Sequence, residues 1–478
     1  MDHSPRSTQR AFGRPFAGRL GALLAPLLAL AVLPPPSALQ GQEVDRFPGV
    51  SLGLTYEARY SPPIAILPFT GRFGGQEVAS QVERIVSRDL RYSNRFVVMD
   101  SLPAAVIGPE LDYGLWDQMN VDWILTGRVE GSGDGYILVL ELHDVVFREV
   151  VDQGRFPIPS RDSDNFRMAS HIASDAVVQW VFDEPGMAAS RIAFSRTGSE
   201  GNQEIWMVDS DGENLQRVTN HRSLALSPAW SPDGRRVAFT SYRTGLPRIY
   251  ELNLDTGEER QVSAQRSGDY MTPSYHPDGD KLIFSIVGGG RSGIYTYDVA
   301  RDCCLENLTE SRWEDISPRY SPDGSRVVFN SNRLGLGVPQ IYTMPADGGE
   351  PRMISPFIYG QPSYFTSPEW SALGDRIAFH GRAERGQPYQ ILVAEMDGGM
   401  NSRVVQLTFE GRNEDPSWAP DGRHLVVEGE RRTGRGLFVV DAVTGNMRQL
   451  VSGMRARLPA WSPSLAPRVQ EQLRAVDH

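Results

Sequence analysis

A chain of 478 residues with 40% hydrophobic and 22% charged residues has the composition of a folded, water-soluble protein. Its length fits two or three domains, or one repeat domain with a smaller companion. The formal net charge of -11 excludes the broadly basic surface that nucleic-acid binding requires, and the only two cysteines, Cys303 and Cys304, are adjacent, which excludes a disulfide framework or a cysteine-rich zinc centre.

Arg6, Arg10, Arg14 and Arg19 precede an apolar run from Leu20 to Leu33, and Pro34 to Pro36 end it. This order predicts a cleaved secretory signal over residues 1–41. The run is shorter than the about 20 apolar residues of a membrane span; an uncleaved anchor is the alternative. No cysteine follows it, so a lipid anchor is not expected. Removing the segment leaves a charge of about -14. No later stretch is long and apolar enough to span a bilayer, so the expectation is a soluble exported protein without membrane insertion.

Residues 42–61, "QEVDRFPGVSLGLTYEARYS", alternate weakly between polar and apolar. Two readings stand: a flexible arm that adds as a β-strand to a partner, or an edge strand of the domain that follows.

Residues 62–184 read as a small mixed α/β domain. "PIAILPF" (Pro63 to Phe69) is an apolar strand, and Val78, Val82, Ile85, Val86 and Leu90 share one face of a helix. "RFVVMD" predicts a second strand and "DYGLWDQMN" a short helix. "GSGDG" predicts a hairpin into "YILVLELHDVV". A helix follows with Ser163 or Asp164 as N-cap and Phe166, Ala169, Ile172, Ala173, Ala176, Val177 and Trp180 inward. Pro185 and Gly186 mark its end and the domain boundary.

From residue 185 to 467 the chain repeats. The aromatics of a Pro-x-aromatic motif are Trp230, Tyr275, Tyr320, Trp370, Trp418 and Trp461, separated by 45, 45, 50, 48 and 43 residues. That period is one four-stranded propeller blade. "SPDG" after the aromatic is a turn with Pro fixing φ and Gly taking a positive φ. A strand such as "RVAFTS", a second such as "RIYELNL" and a third such as "RQVS" follow. The first unit, "RIAFSR", lacks its opening strand, whereas "PAWSPSL" near Trp461 is an opening strand without successors. Pairing the two closes a six-bladed ring. An open solenoid would need polar caps that are not visible.

The apolar leader, the α/β region with "PIAILPF" and "DLRYSNRFVVMD", and the "WSPDG" repeats together resemble the TolB family of the periplasmic Tol-Pal system. The resemblance covers nearly all of the chain after the leader. It implies a monomeric, non-enzymatic periplasmic scaffold without a cofactor. In the family the propeller binds the peptidoglycan-associated lipoprotein Pal, and the N-terminal arm and domain communicate with the inner-membrane protein TolA, in support of envelope integrity and constriction at division. The arm here is long and ends in Pro62-Pro63, and the fourth turn reads "WSALGD" without Pro-Asp-Gly, both departures from the pattern. The arm contacts implied are Glu43, Val44, Asp45 and Phe47.

No nucleophile elbow, zinc-protease or Walker motif is present in the sequence. Gly288 to Gly290 form a loop between strands rather than a phosphate cradle. His171, without a ligand-spaced partner, is expected to be solvated or capping. His276 stands where sister turns have Ser and is expected to bond the turn. Cys303 and Cys304 are expected in the turn before "ENLT"; two free thiols are favoured over a strained ring between neighbours. A propeller protease would need a following hydrolase domain, for which the segment after Trp461 leaves no room. Residues 468–478 are expected to be a dispensable tail.

The segments before each Pro-x-aromatic feed the first strands and so share one end of the propeller. They gather aromatic, Met and Arg residues of the kinds enriched at interface hot spots, together with acids. The candidate partner face comprises Asp269, Tyr270, Met271, Thr272, Trp313, Glu314, Asp315, Ile316, Ser317, Tyr364, Phe365, Arg412, Glu414, Asp415 and Arg455. The plainer reading makes these ordinary strand-leading residues on a solvated rim. The functional alternative is a ligand-binding, glycan-binding or lyase-type propeller with a cation or sugar in its channel.

Overall fold

Pro63–Ile66 (β1) is short and apolar, and it forms the middle of a sheet. The computed structural model describes residues 60–476, apart from 104–105, 109, 263–265, 310–311, 358–362, 383, 398–399 and 433. The expected signal segment, and the arm with Glu43, Val44, Asp45 and Phe47, lie outside the described residues. Thr70–Arg72 (β2) and β1 both pair parallel with Trp123–Ser132 (β4), and β1 also pairs with Val97–Met99 (β3). Gly135–Asp144 (β5) and Glu149–Ile158 (β6) continue the sheet antiparallel. Gly133, at φ 55°, makes the expected tight β4–β5 turn.

Gln76–Tyr92 (α1) buries the predicted stripe of Val78, Val82, Ile85, Val86 and Leu90 against Ile64, Ile66 and Leu125 of the sheet. Tyr113–Gln118 (α2) is the predicted short helix, capped by Asp112 through the Leu115 N–H. In Phe166–Phe182 (α3), Phe166, Ala169, Ala173 and Val177 join the same core, Trp180 packs at its margin, and Ile172 packs instead against a second cluster with Met168 and Ala189. The helix starts later than expected. Asn165 is its N-cap, and Ser163 instead accepts a 3.3 Å bond from the Asn165 N–H. Asp183 ends it in the left-handed region at φ 52°, two residues before Pro185.

The repeats form six four-stranded antiparallel sheets. The first consists of Ala225–Trp230, Arg236–Ser241, Arg248–Asn253 and Glu259–Gln261. Blades two to five run from Asp269 to Asn307, Asp315 to Met353, Tyr364 to Gln406 and Arg412 to Val451. The sixth combines both ends of the repeat region: Ala456–Trp461 pairs with Arg191–Thr197, matching Trp461 to Ile192 and Ala460 to Ala193. Ring closure is as expected from the displaced motifs.

The turn chemistry repeats with the strands. In "SPDG" the Ser231 hydroxyl accepts the Arg236 N–H at 2.8 Å and Gly234 takes φ 66°. His276 does the expected work in its blade, its Nδ1 accepting the Asp278 N–H at 3.2 Å. The irregular fourth turn keeps its shape because Ser371 bonds Asp375 instead, with Gly374 at φ 75°. Phe194, Phe239, Phe284, Phe329 and Phe379 are fully buried between neighbouring blades. Trp230 and Trp418 donate their indole N–H to Ala460 and Glu369, each on the adjoining blade, so the aromatics tie blade to blade.

Two further expectations fail. Residues after Pro467 are not a loose tail: Ala466–Val476 (α4) is a helix. Val469 and the preceding Leu465 pack on Met168 and Ala189, and Arg468 donates to the Gly234 carbonyl at 2.8 Å. Gln472 accepts from Asn165 of α3 and donates to Asp255 of the first blade. An amphipathic eleven-residue segment finds a groove between α3 and the propeller that sequence periodicity does not reveal. Cys303 and Cys304 are joined by a disulfide rather than free. They also begin the strand Cys303–Asn307, with Cys303 opposite Asp298, instead of occupying the turn. Cys304 takes φ 65°, so the backbone adapts to the bond between neighbours.

Candidate functional site

Every inner strand carries a bulge at the same place. The register slips between Leu226 and Ala229, and at the equivalent positions of the other five blades. The extra residue takes a positive φ: Ser227 51°, Thr272 54°, Ser317 57°, Ser367 51°, Asp415 49° and Leu458 51°. A bulge leaves one residue unpaired and bends the strand. Here Pro follows each of these residues; its missing N–H suits the break in the ladder. The six bulges line a narrow central cavity of about 50 Å³, together with Arg319 and Glu369.

The candidate face therefore differs from its sequence reading. Most of the candidates sit in inner strands rather than loops, since those strands start at Asp269, Asp315, Tyr364 and Arg412, whereas Trp313, Glu314 and Arg455 precede their strands as expected. Three candidates face inward. Tyr270 is buried and its hydroxyl donates to the Arg266 carbonyl at 2.6 Å. Phe365 is buried edge-on to Phe379, with centroids 5.6 Å apart. Asp315 is fully buried and pairs with Arg333 at 3.0 Å. Alternation along a strand sends these side chains into the core.

Three of the remaining candidates line the channel. Thr272, Ser317 and Asp415 are channel-lining bulges, and Asp415 accepts from the Ser367 hydroxyl at 2.8 Å. The Asp415 N–H donates to His380 Nδ1 at 3.0 Å; burial holds this imidazole below its usual pKa. Asp269, Met271, Trp313, Ile316 and Tyr364 are half-buried, and Glu314 is exposed, bonded to Asn332. Arg382 lies 4.7 Å above the ring of Tyr389, which in turn packs on Tyr364. Arg412, Glu414 and Arg455 come together on one cavity of about 450 Å³, with Glu428, Arg435 and Arg457. Arg412 and Glu414 form an ion pair. Burial, with Asp415 next, pushes Glu428 up to about 7.

Arg319 and Glu369 were absent from the candidate set. They are the x of Pro-x-aromatic in blades three and four, where the other blades have Ala229, Ser274, Ser417 and Ala460. That contrast is visible in sequence once the motif is known to face the channel. Their groups approach to 3.8 Å, and Ser417 donates to Glu369 at 2.9 Å. Burial raises Glu369 and lowers Arg319, each charge offsetting part of the cost to the other.

A second polar cluster joins the α/β domain to the sixth blade. His171 of α3 is fully buried, not solvated, and its Nδ1 bonds Asp89 of α1 at 2.7 Å. Asp209 and Asp211 of the propeller hold Arg167 of α3 at 2.9 and 2.6 Å. Burial works against charge on His171, but Asp89, Asp209 and Asp211 outweigh it and push it up to about 10. Ligand atoms of Asp89, His171 and Asp211 lie within 4.8 Å of one another. An imidazolium has no lone pair for a cation, and Arg167 already neutralises the aspartates, so this is an ion-paired junction rather than a metal centre. The partner of His171 lies 82 residues away in sequence, which spacing rules cannot detect.

The TolB amino-terminal domain model matches residues 51–151, and the TolB beta propeller domain model matches residues 179–465. The chain belongs to the TolB family. The Tol-Pal system protein TolB of Methylococcus capsulatus is 31% identical over 209 residues, 42% of this chain and 47% of that protein. The Jannaschia sp. protein of the same name is 32% identical over 237 residues, 48% of this chain and 53% of that protein. The chain thus spans about half the length of the curated relatives it matches. The crystal structure of TolB from Acinetobacter baumannii superposes with a TM-score of 0.72 at 27% identity, covering 84% of this chain and 97% of that one. The TolB likeness therefore extends over both the α/β region and the closed propeller.

Proposed function

We propose that the chain is a periplasmic docking protein of a Tol-Pal system, with a Pal-like lipoprotein on the bulged end of the propeller and a TolA-like inner-membrane protein on the N-terminal arm and domain. Its role is to link these partners in support of envelope integrity and outer-membrane constriction during division. The observation that carries the reading is the sixfold bulge. It gathers one residue per blade around the channel, at the end of the inner strands where Arg412, Glu414 and Arg455 line one cavity and where Trp313 and Glu314 precede the third-blade strand. A half-buried Trp beside charged groups, around a concave centre, is how hot-spot anchors are presented. The buried polar groups described above are occupied by ion pairs and hydrogen bonds, which suits a rigid docking surface.

The test is calorimetric titration of the mature protein with the soluble domain of its own Pal-like lipoprotein. Trp313→Ala combined with Arg455→Glu is expected to weaken binding by about 1 kcal/mol or more, roughly fivefold. Asp315 is excluded from the design because a charge reversal there would bury an unpaired cation. Undiminished affinity in a folded variant places the contact elsewhere. Removing residues 42–47 is expected to abolish capture of the TolA-like domain while leaving the lipoprotein bound.

A further inference from the structure

A further cavity lies outside the channel, on the second blade. It measures about 860 Å³ and is lined by Arg266, Arg291 and Arg312 together with Ser292, Asn307 and Thr309. The hairpin Gly288–Arg291 forms one wall, with Gly289 and Gly290 at φ 61° and 76°, so the turn brings Arg291 to the edge without side chains filling the space.

Three features point to an anion. First, among the described residues none of the three arginines has a carboxylate within ion-pair distance. In a chain of net charge -11, three guanidiniums on one pocket without a carboxylate partner among the described residues stand out from their surroundings. Second, two of the three are held by aromatic faces: Arg266 lies 4.8 Å from the Tyr295 ring and Arg312 lies 4.6 Å from the Trp313 ring. Stacking fixes the plane of a guanidinium and leaves its edge N–H groups for an acceptor. Third, Ser292 is 4% exposed, and its Oγ lacks a hydrogen-bond partner among the described residues. A buried hydroxyl left unbonded is costly, and one lining a pocket of donors is satisfied by a ligand oxygen.

We infer that this pocket binds a small anionic ligand carrying carboxylate or phosphate groups. The guanidinium edges bind its oxygens, bidentately where geometry allows. Ser292, which is buried, and Asn307, which is exposed, add hydrogen bonds. The site adjoins the proposed docking rim, since Arg312 stacks on Trp313, but needs no partner to be tested.

The test is titration of the purified mature protein with citrate and, separately, with inorganic phosphate. Saturable binding of either with a stoichiometry of one is expected, weakening as sodium chloride rises. The Arg291→Met, Arg312→Met variant keeps the aliphatic stems and is expected to lose affinity tenfold or more without a change in thermal midpoint. Ser292→Ala is expected to lose two- to threefold. Arg385→Met, at an exposed position in the fourth blade, is the control and is expected to bind as the parent does. Citrate alone binding assigns the site to carboxylates, and both binding assigns it to anions generally. Failure of both probes to saturate, equal binding by the double variant, or an equal loss in the control overturns the inference.

Discussion

The indole N–H of Trp461 donates a 2.7 Å hydrogen bond to the hydroxyl of Ser190, 271 residues upstream. Beside it the Arg191 N–H donates to Ser462 Oγ at 2.9 Å and the Ser462 N–H returns to the Arg191 carbonyl at 2.8 Å. One strand from the far end of the repeats thus closes the ring, and Trp461 packs with Ile192 and Phe194. Trp461→Ala removes both the packing and the indole bond. It is expected to cost about 3–5 kcal/mol, the range for large aromatics in cores, read as a lower urea midpoint. A chain ending before Leu458 is expected to lose the cooperative transition of the whole propeller. An unchanged midpoint in either case contradicts closure as the source of propeller stability.

The helix α4 makes a prediction opposite to the one its sequence suggests. Leu465 and Val469 cover Met168 and Ala189, and Arg468 and Gln472 both bond Asp255 on the first blade. Removing residues 466–478 uncovers this apolar patch and breaks the bridge between α3 and the propeller. Val469→Asp is expected to destabilise the protein by about 2 kcal/mol or more, since it puts a charge where an aliphatic side chain is buried. Differential scanning calorimetry of the truncated and substituted chains measures both effects. A truncated chain that melts with the parent overturns the structural role.

The buried junction around His171 makes stability depend on pH. Its folded pKa is raised from an ordinary 6.5 to about 10. The stabilisation it brings is fully present below pH 6.5 and is lost as pH rises toward 10, because above 6.5 the unfolded chain gives up a proton that the folded chain retains. One proton limits the slope to about 1.4 kcal/mol per pH unit. Urea denaturation between pH 6.5 and 9.5 is expected to show falling stability, with the slope reduced in His171→Gln. Asp209 and Asp211 act in the opposite sense: their pKa values are depressed, so their contribution is lost in acid. A flat profile over the alkaline window would mean that the imidazole is neutral in the folded state.

The repeat was legible because blade-forming chemistry is local. A Pro, an aromatic and a Ser-Pro-Asp-Gly turn sit within a few residues of one another, and each reports its own backbone conformation. Closure was legible too, since it follows from counting displaced motifs. The candidate face was only partly legible. Period and turn place Tyr270, Phe365 and Asp315 at the leading end of the inner strands, but their direction depends on the bulge register, and the sequence shows no marker for which side of the bulge faces the core. The junction of Asp89, His171 and Asp209 could not be read, because its members come from three elements brought together only by domain packing. The same limit hid α4, whose apolar stripe is short and whose groove is made by other parts of the chain.

Arg319 and Glu369 test whether the channel charges serve stability or something else. Each keeps about a quarter of its side chain open, 23% and 24%, and they meet across adjoining blades at 3.8 Å. Burial disfavours both charges. A pair of this kind gains little over an apolar replacement, yet loses heavily when one member is left alone. Arg319→Met leaves Glu369 without its counter-charge, and Glu369→Leu leaves Arg319 without its own. Each single change is expected to cost about 1–3 kcal/mol, reduced by the open fraction. Made together, they are expected to cost less than either one, because the uncompensated charge disappears and the narrow channel is filled by carbon. Guanidinium denaturation of the four proteins completes the cycle. A double variant that loses the sum of the two single costs shows that the residues do not interact across the channel. A double variant that is stable but fails to bind the Pal-like domain separates a docking role for the pair from a structural one.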